Sequence, residues 1–273
     1  MSPSPEKSRK RRGPGRAIVL LAILVSIVVA AVLLYQPIWE AKRTEQTLND
    51  RYGESIAFVP APDGAVPPER MEAFLRVRDG VLKNCAEFQG RIDDIRRFES
   101  LEEDETQPRA IVAWEGISGL KKLVQFGPAF LRFMETRNRA LLREEMGLGE
   151  YFYIYVLAYA EQLRHAKDTI PAELDEVHVG RRAQKELAGI LGNQLDRLMS
   201  GPGGPADKEM AASLRDQIDL LNDGRQSIPW EDGLPPAIAA SLEPYEEPLA
   251  RRYCEGIAKI ELMQKNKGFN IQN

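Results

Sequence analysis

The sequence has little from which to build a metal or catalytic centre. Two histidines and two cysteines stand among 273 residues, too few for a Cys/His metal cluster within one chain except at minimal size. Aromatic residues make up only 7%, and strict alternation of apolar and polar residues never lasts beyond a few positions, so nothing reads as a strand. Long apolar runs are equally scarce. One stretch, Ala17 to Tyr35, is free of charge and carries a single polar interruption at Ser26. With a mean hydropathy of −0.36 for the whole chain, a multi-pass channel or transporter is excluded. No internal repeat is present. The 43% of hydrophobic and 29% of charged residues nevertheless suffice for a real core.

The apolar run sets the first expectation. Nineteen residues from Ala17 to Tyr35 span roughly 28 Å as a helix, close to the roughly 30 Å of a bilayer's hydrocarbon core. Lys7, Arg9, Lys10, Arg11, Arg12 and Arg16 precede it against the lone Glu6, whereas Lys42, Arg43 and Arg51 are the only cations in the sixteen residues after it. This asymmetry predicts a basic cytoplasmic tail (1–16), a transmembrane helix (17–35) in the lipid bilayer of the inner membrane, and a periplasmic or otherwise extracytoplasmic remainder. A cleaved signal peptide is the rival. Its apolar region is typically shorter, and a small-x-small site follows it, where this chain has Tyr35-Gln36-Pro37-Ile38-Trp39. The reading is therefore an uncleaved signal anchor, with Tyr35 and Trp39 suited to the interfacial aromatic belt. Without the first sixteen residues the chain retains 31 basic and 40 acidic side chains, a net charge of −9, which argues against nucleic acid as a partner.

Beyond the anchor the pattern is helical, and the expected fold class is all-α: one transmembrane helix followed by one extracytoplasmic helical bundle. Pro60-Ala61-Pro62-Asp63-Gly64 and Pro67-Pro68 mark residues 36–66 as a juxtamembrane segment and Pro-rich linker, with the helical domain at 67–263 and a tail at 264–273. A helix of roughly thirty residues is expected next. Phe74, Val81, Cys85, Phe88, Ile92 and Ile95 form its apolar stripe, broken only by Arg78. Further helical faces run through Ile111 to Val124, Phe130 to Leu142, Leu187 to Leu198 and Met210 to Leu221. Leu148 to Tyr159 is apolar nearly all round, the mark of a central helix.

Candidate chemistry is fragmentary. Glu161 and His165 stand at i, i+4, and Asp175 and His178 at i, i+3. A di-iron bundle needs two Glu-x-x-His motifs and two further glutamates, so no metal or cofactor is expected. Gly116-Ile117-Ser118-Gly119 lacks the nucleophile-elbow pattern, and Gly147-Leu148-Gly149 lacks the third glycine and the lysine of a phosphate loop. No catalytic residue is identified, and the expectation is not an enzyme. Tyr151, Tyr155 and Tyr159, spaced i, i+4, i+8, line one helical stripe that reads either as core or as an interaction surface. Cys85 and Cys254 permit one disulfide in an oxidising compartment, while Cys85, on an apolar stripe, equally suits a buried free thiol.

Residues 63–78, with Asp63-Gly64 and Pro68-Glu69-Arg70-Met71-Glu72-Ala73-Phe74-Leu75-Arg76-Val77-Arg78, and residues 135–159, from Glu135 to Tyr159, are similar to segments of an uncharacterised family of bacterial membrane-anchored helical envelope proteins. The resemblance implies a bacterial envelope location and supplies no active-site residue. Together these readings predict an interaction or scaffold protein with an envelope protein partner. The alternative is a bundle that binds an apolar or amphipathic ligand, and the third is an envelope enzyme.

Overall fold

The computed structural model describes residues 39–90, 129–165, 179–201 and 204–262, and among them helix is the only regular secondary structure. The expected anchor at 17–35, the helical face at 111–124, Asp175, His178 and the tail lie outside the described residues. Among those described, no helix is long and apolar enough to cross a membrane.

In chain order the helices are α1 (39–52), α2 (Pro68–Leu82), α3 (85–90), α4 (129–143), α5 (Leu148–Ala158), α6 (Ala160–His165), α7 (Val179–Met199), α8 (Pro205–Asn222), α9 (Pro236–Leu242), α10 (Glu246–Ala250) and α11 (Glu255–Leu262). Prolines at the first turn start α2, α8 and α9, where the missing N–H would have no helical partner anyway. At α8 the Asp207 carboxylate also accepts from the Gly204 N–H at 2.6 Å. The expected central helix is α5, whose residues from Tyr151 to Leu157 are all buried. Around it pack α2, α7 and a 3-10 turn at Ser55–Ala57, while α7 and α8 form the most extensive helix pair.

Two expected boundaries are corrected. Over the described residues 68–90 the expected long helix is two helices, because the chain tightens at Lys83–Asn84, where the Asn84 amide bonds to the Val81 carbonyl three residues back; Ile92 and Ile95 lie outside the described residues. That break carries Cys85 to Cys254, and the two are joined in a disulfide with Cα atoms 6.0 Å apart. The second correction concerns 36–66. Residues 39–66 pack into the domain, with Leu48, Ser55 and Val66 at most 5% exposed.

The reason lies in hydrogen-bond chemistry. A proline-rich segment has few N–H donors and many free carbonyls, and α7 presents donors to them. Asn193 Nδ2 donates to the carbonyls of Ile56 and Phe58 at 2.8 and 3.0 Å, Arg197 Nη1 to that of Pro60 and Gln194 Nε2 to that of Pro62, each at 3.2 Å. Ser55 Oγ donates to Glu186. Positions 186, 193 and 197 recur on one helical face, so the helix acts as a rail for an extended strap. Two glycines admit it. A Cβ on Gly149 would stand 2.0 Å from the Ser55 carbonyl oxygen, and one on Gly189 2.5 Å from Ile56 Cγ1.

Candidate functional site

The tyrosine stripe is the first candidate, and the structure takes it off the surface. Tyr151, Tyr155 and Tyr159 are each 0% exposed, so the reading of them as an interaction surface is overturned. Helix α5 is enclosed on all sides, and its tyrosine edge faces other chain segments. Neighbouring rings close over it: Phe74 lies 5.3 Å from Tyr151, and Tyr253 lies 5.2 Å from Tyr159, between ring centres.

What the tyrosines surround is a charge that sequence reasoning passed over. Arg78, the residue that breaks the apolar stripe of α2, is completely buried. Its Nη1 donates to the Glu261 carboxylate and, at 3.0 Å, to the Tyr151 hydroxyl, while Nη2 donates to the Arg252 carbonyl at 2.9 Å. The Tyr151 hydroxyl donates onward to the Glu261 carboxylate, 2.9 and 3.0 Å from its two oxygens. The guanidinium carbon sits 5.1 and 5.4 Å from the ring centres of Tyr155 and Tyr159, where the negative ring faces attract a cation. Burial by itself would lower the pKa of Arg78. Tyr151 and Glu261 outweigh it, and the guanidinium pKa is held well above its ordinary value. Burial drives the Tyr151 and Tyr155 hydroxyls well above the ordinary phenol range, with Arg78 opposing.

This cluster is a structural centre. It is closed to solvent, so no substrate reaches it, and all its charge is spent internally. The signal in the sequence was the misplaced cation: a charge at an apolar-stripe position is buried only when paired. Its partner, 183 residues away on α11, carried no comparable signal. The same helix end is fastened from outside, where Arg252 donates to both carboxylate oxygens of Asp79 at 2.7 and 3.0 Å.

An open groove of about 540 Å³ lies beside the C-terminal end of α5, along Leu157 and Ala158, within the 300–1,000 Å³ common for binding sites. Leu157, Leu242, Leu249 and Trp230 supply apolar surface, and Glu161, Asp232 and Glu246 contribute carboxylates. These three acids make no ion pair among the described residues. The groove's one arginine, Arg164, is already engaged, donating to the Glu231 carbonyl at 2.6 Å. Trp230 is held in the left-handed backbone region at φ 54°, an uncommon state for a bulky residue that its surroundings must enforce. Its amide donates to Gln217 Oε1 at 2.6 Å and its indole N–H to Ser213 Oγ at 3.3 Å, both on α8. Glu161 is thus placed at a groove, and His165 is the last described residue of α6. Among the described residues no group of three or more His, Cys, Asp or Glu side chains is arranged to hold a metal ion.

Comparison with protein-family models, curated proteins and solved structures gives no match for this chain.

Proposed function

We propose that the protein is a membrane-anchored, extracytoplasmic interaction or scaffold protein of the bacterial cell envelope, held in the inner membrane by residues 17–35 with its helical domain on the far side. The observation that carries this reading is the open groove, whose apolar floor and three unpaired carboxylates form a recognition surface. Two further features support the location. The uncharged run follows six cations, and the Cys85–Cys254 bond suits an oxidising compartment outside the cytoplasm. Because α1 and the strap belong to the domain, the groove is carried at a fixed place relative to residue 39, three residues beyond the apolar run and its adjoining Gln36. A second reading, a module enclosing an apolar or amphipathic molecule, draws on the same groove.

The test is brief in-cell crosslinking of the tagged full-length protein, with an anchor-deleted exported form as control. Reproducible capture of the same envelope proteins by both forms is expected. Capture of nothing but the protein itself overturns the interaction reading, and a retained small molecule in native mass spectrometry then favours the second.

A further inference from the structure

We propose that the groove between α5, α6, α9 and α10 docks a basic, amphipathic peptide segment of a partner protein, in which an apolar side chain stands beside lysine or arginine. This rests on the reading of the chain as an interaction protein and names the chemistry of its partner.

Charge complementarity selects the occupant. Glu161, Asp232 and Glu246 border the groove with no cation paired to them among the described residues, whereas the adjoining Glu247 is neutralised by Arg251. Arg164 in the same groove keeps its charge while bonding the Glu231 carbonyl, but the lining carries four carboxylates, those of Glu161, Glu231, Asp232 and Glu246, against this one guanidinium, and the excess focuses a negative potential into the concavity. A cation entering there relieves that excess and gains from the apolar walls, whose low polarisability toward charge reduces screening. Anionic lipid headgroups and nucleic acid are repelled by the same field.

The apolar surface decides that the cation is not alone. Leu242, Leu249 and Trp230 are at most 7% exposed as residues, yet they reach the groove wall, where an inserted aliphatic or aromatic side chain would displace water. The groove is open to solvent and bordered by four helices and the 230–234 loop. An open trough admits a chain that passes through it, whereas a free small molecule is better held by an enclosed cavity.

The experiment uses the full-length protein in a zwitterionic detergent and a fluorescein-labelled peptide alternating leucine and lysine, read by anisotropy against detergent alone. Saturable binding is expected. The triple substitution Glu161→Gln, Asp232→Asn, Glu246→Gln should weaken it at least about tenfold, with an unchanged circular dichroism spectrum and Tm. Ala239→Arg, on the exposed side of the groove wall, should do the same by placing a fixed cation in the trough. The proposal is overturned if both variants bind like the parent, if a leucine–glutamate peptide binds equally well, if octylamine binds as tightly as the peptide, or if the groove proves to be filled by a second copy of the chain. Loss of the peptide result with in-cell capture intact overturns this inference alone. Loss of capture overturns the interaction reading beneath it.

Discussion

Acidic and aromatic residues do opposite things in the sealed cluster around Arg78 and in the open groove that adjoins it. Around Arg78 the charge is sealed: Glu261, the Tyr151 hydroxyl and the Arg252 carbonyl absorb the guanidinium's donors, and rings cover what is left. At the groove the carboxylates of Glu161, Asp232 and Glu246 face water without cationic partners. The difference follows from solvation. A buried ion must be paired because water is absent, while a solvated one can stay unpaired at little cost and remain available to a ligand. Even the sealed site is not fully satisfied, since Arg78 Nε and the Tyr155 hydroxyl are buried without a hydrogen bond.

Breaking the sealed pair should have the largest effect. Glu261→Ala leaves Arg78 buried and uncompensated, and is expected to cost about 3–5 kcal/mol in urea unfolding. Arg78→Met with Glu261→Leu removes both charges and should recover most of that loss. If the double variant is as unstable as the single, the cluster contributes through packing and the contrast drawn here is wrong.

Next comes the covalent fastening of the same region. Cys85→Ser with Cys254→Ser, or reduction with a dithiol, should lower stability by about 2–4 kcal/mol through the lost constraint on the unfolded chain. Helix α11 follows Cys254 directly, and Gly256 packs so close to Gln89 that a Cβ would stand 3.0 Å from its amide nitrogen. Hydrogen exchange should therefore accelerate in α11 before α7 or α8. Uniform acceleration across the domain would show that the bond is not local to the α11 crossing.

Raising the pH probes the sealed site without mutation. Burial lifts the phenol pKa values of Tyr151, Tyr153, Tyr155 and Tyr159, and pushes that of Tyr253 to about 12. The unfolded chain ionises its tyrosines near 10, so above that pH it releases protons the folded protein retains. Stability is then fully present below pH about 10 and falls at higher pH, by about 1.4 kcal/mol per pH unit for each fully buried tyrosine. Tyrosinate absorbance should rise in a small early step and then sharply at unfolding. A smooth titration of all tyrosines in a still-folded protein would contradict their burial.

The smallest effect is expected at the groove. Replacing Glu161, Asp232 and Glu246 by their amides should change stability by no more than about 0.5 kcal/mol each, as ordinary surface substitutions do. A large stabilisation would mean that the three acids strain the fold more than an open trough allows.

Legibility from sequence followed the same divide. Helical content and the central position of α5 were readable, because apolar periodicity is a local signal. Residues 39–66 look like a linker by local pattern because prolines punctuate a chain locally, while the donors that hold them, Asn193, Gln194 and Arg197, lie more than 130 residues away. The tyrosines could be core or surface by spacing alone, since an i, i+4 stripe says that side chains share a face and not what that face meets. Arg78 was visible only as an irregularity. The groove gave no signal at all, being assembled from α5, α6, α9, α10 and a loop, each unremarkable in isolation.

By itself the amino-acid order determined the helical character of the described residues, one apolar run, an acidic remainder and two cysteines, since these properties depend on composition and on neighbours within a few residues. Tertiary structure alone decided that Arg78 meets Glu261, that the proline strap lies along α7, that Cys85 reaches Cys254, and that three carboxylates around an apolar trough were left without partners. Each of those depends on bringing together residues far apart in the chain, and only the packing of helices sets whether a charge finds a counter-ion, a carbonyl or water.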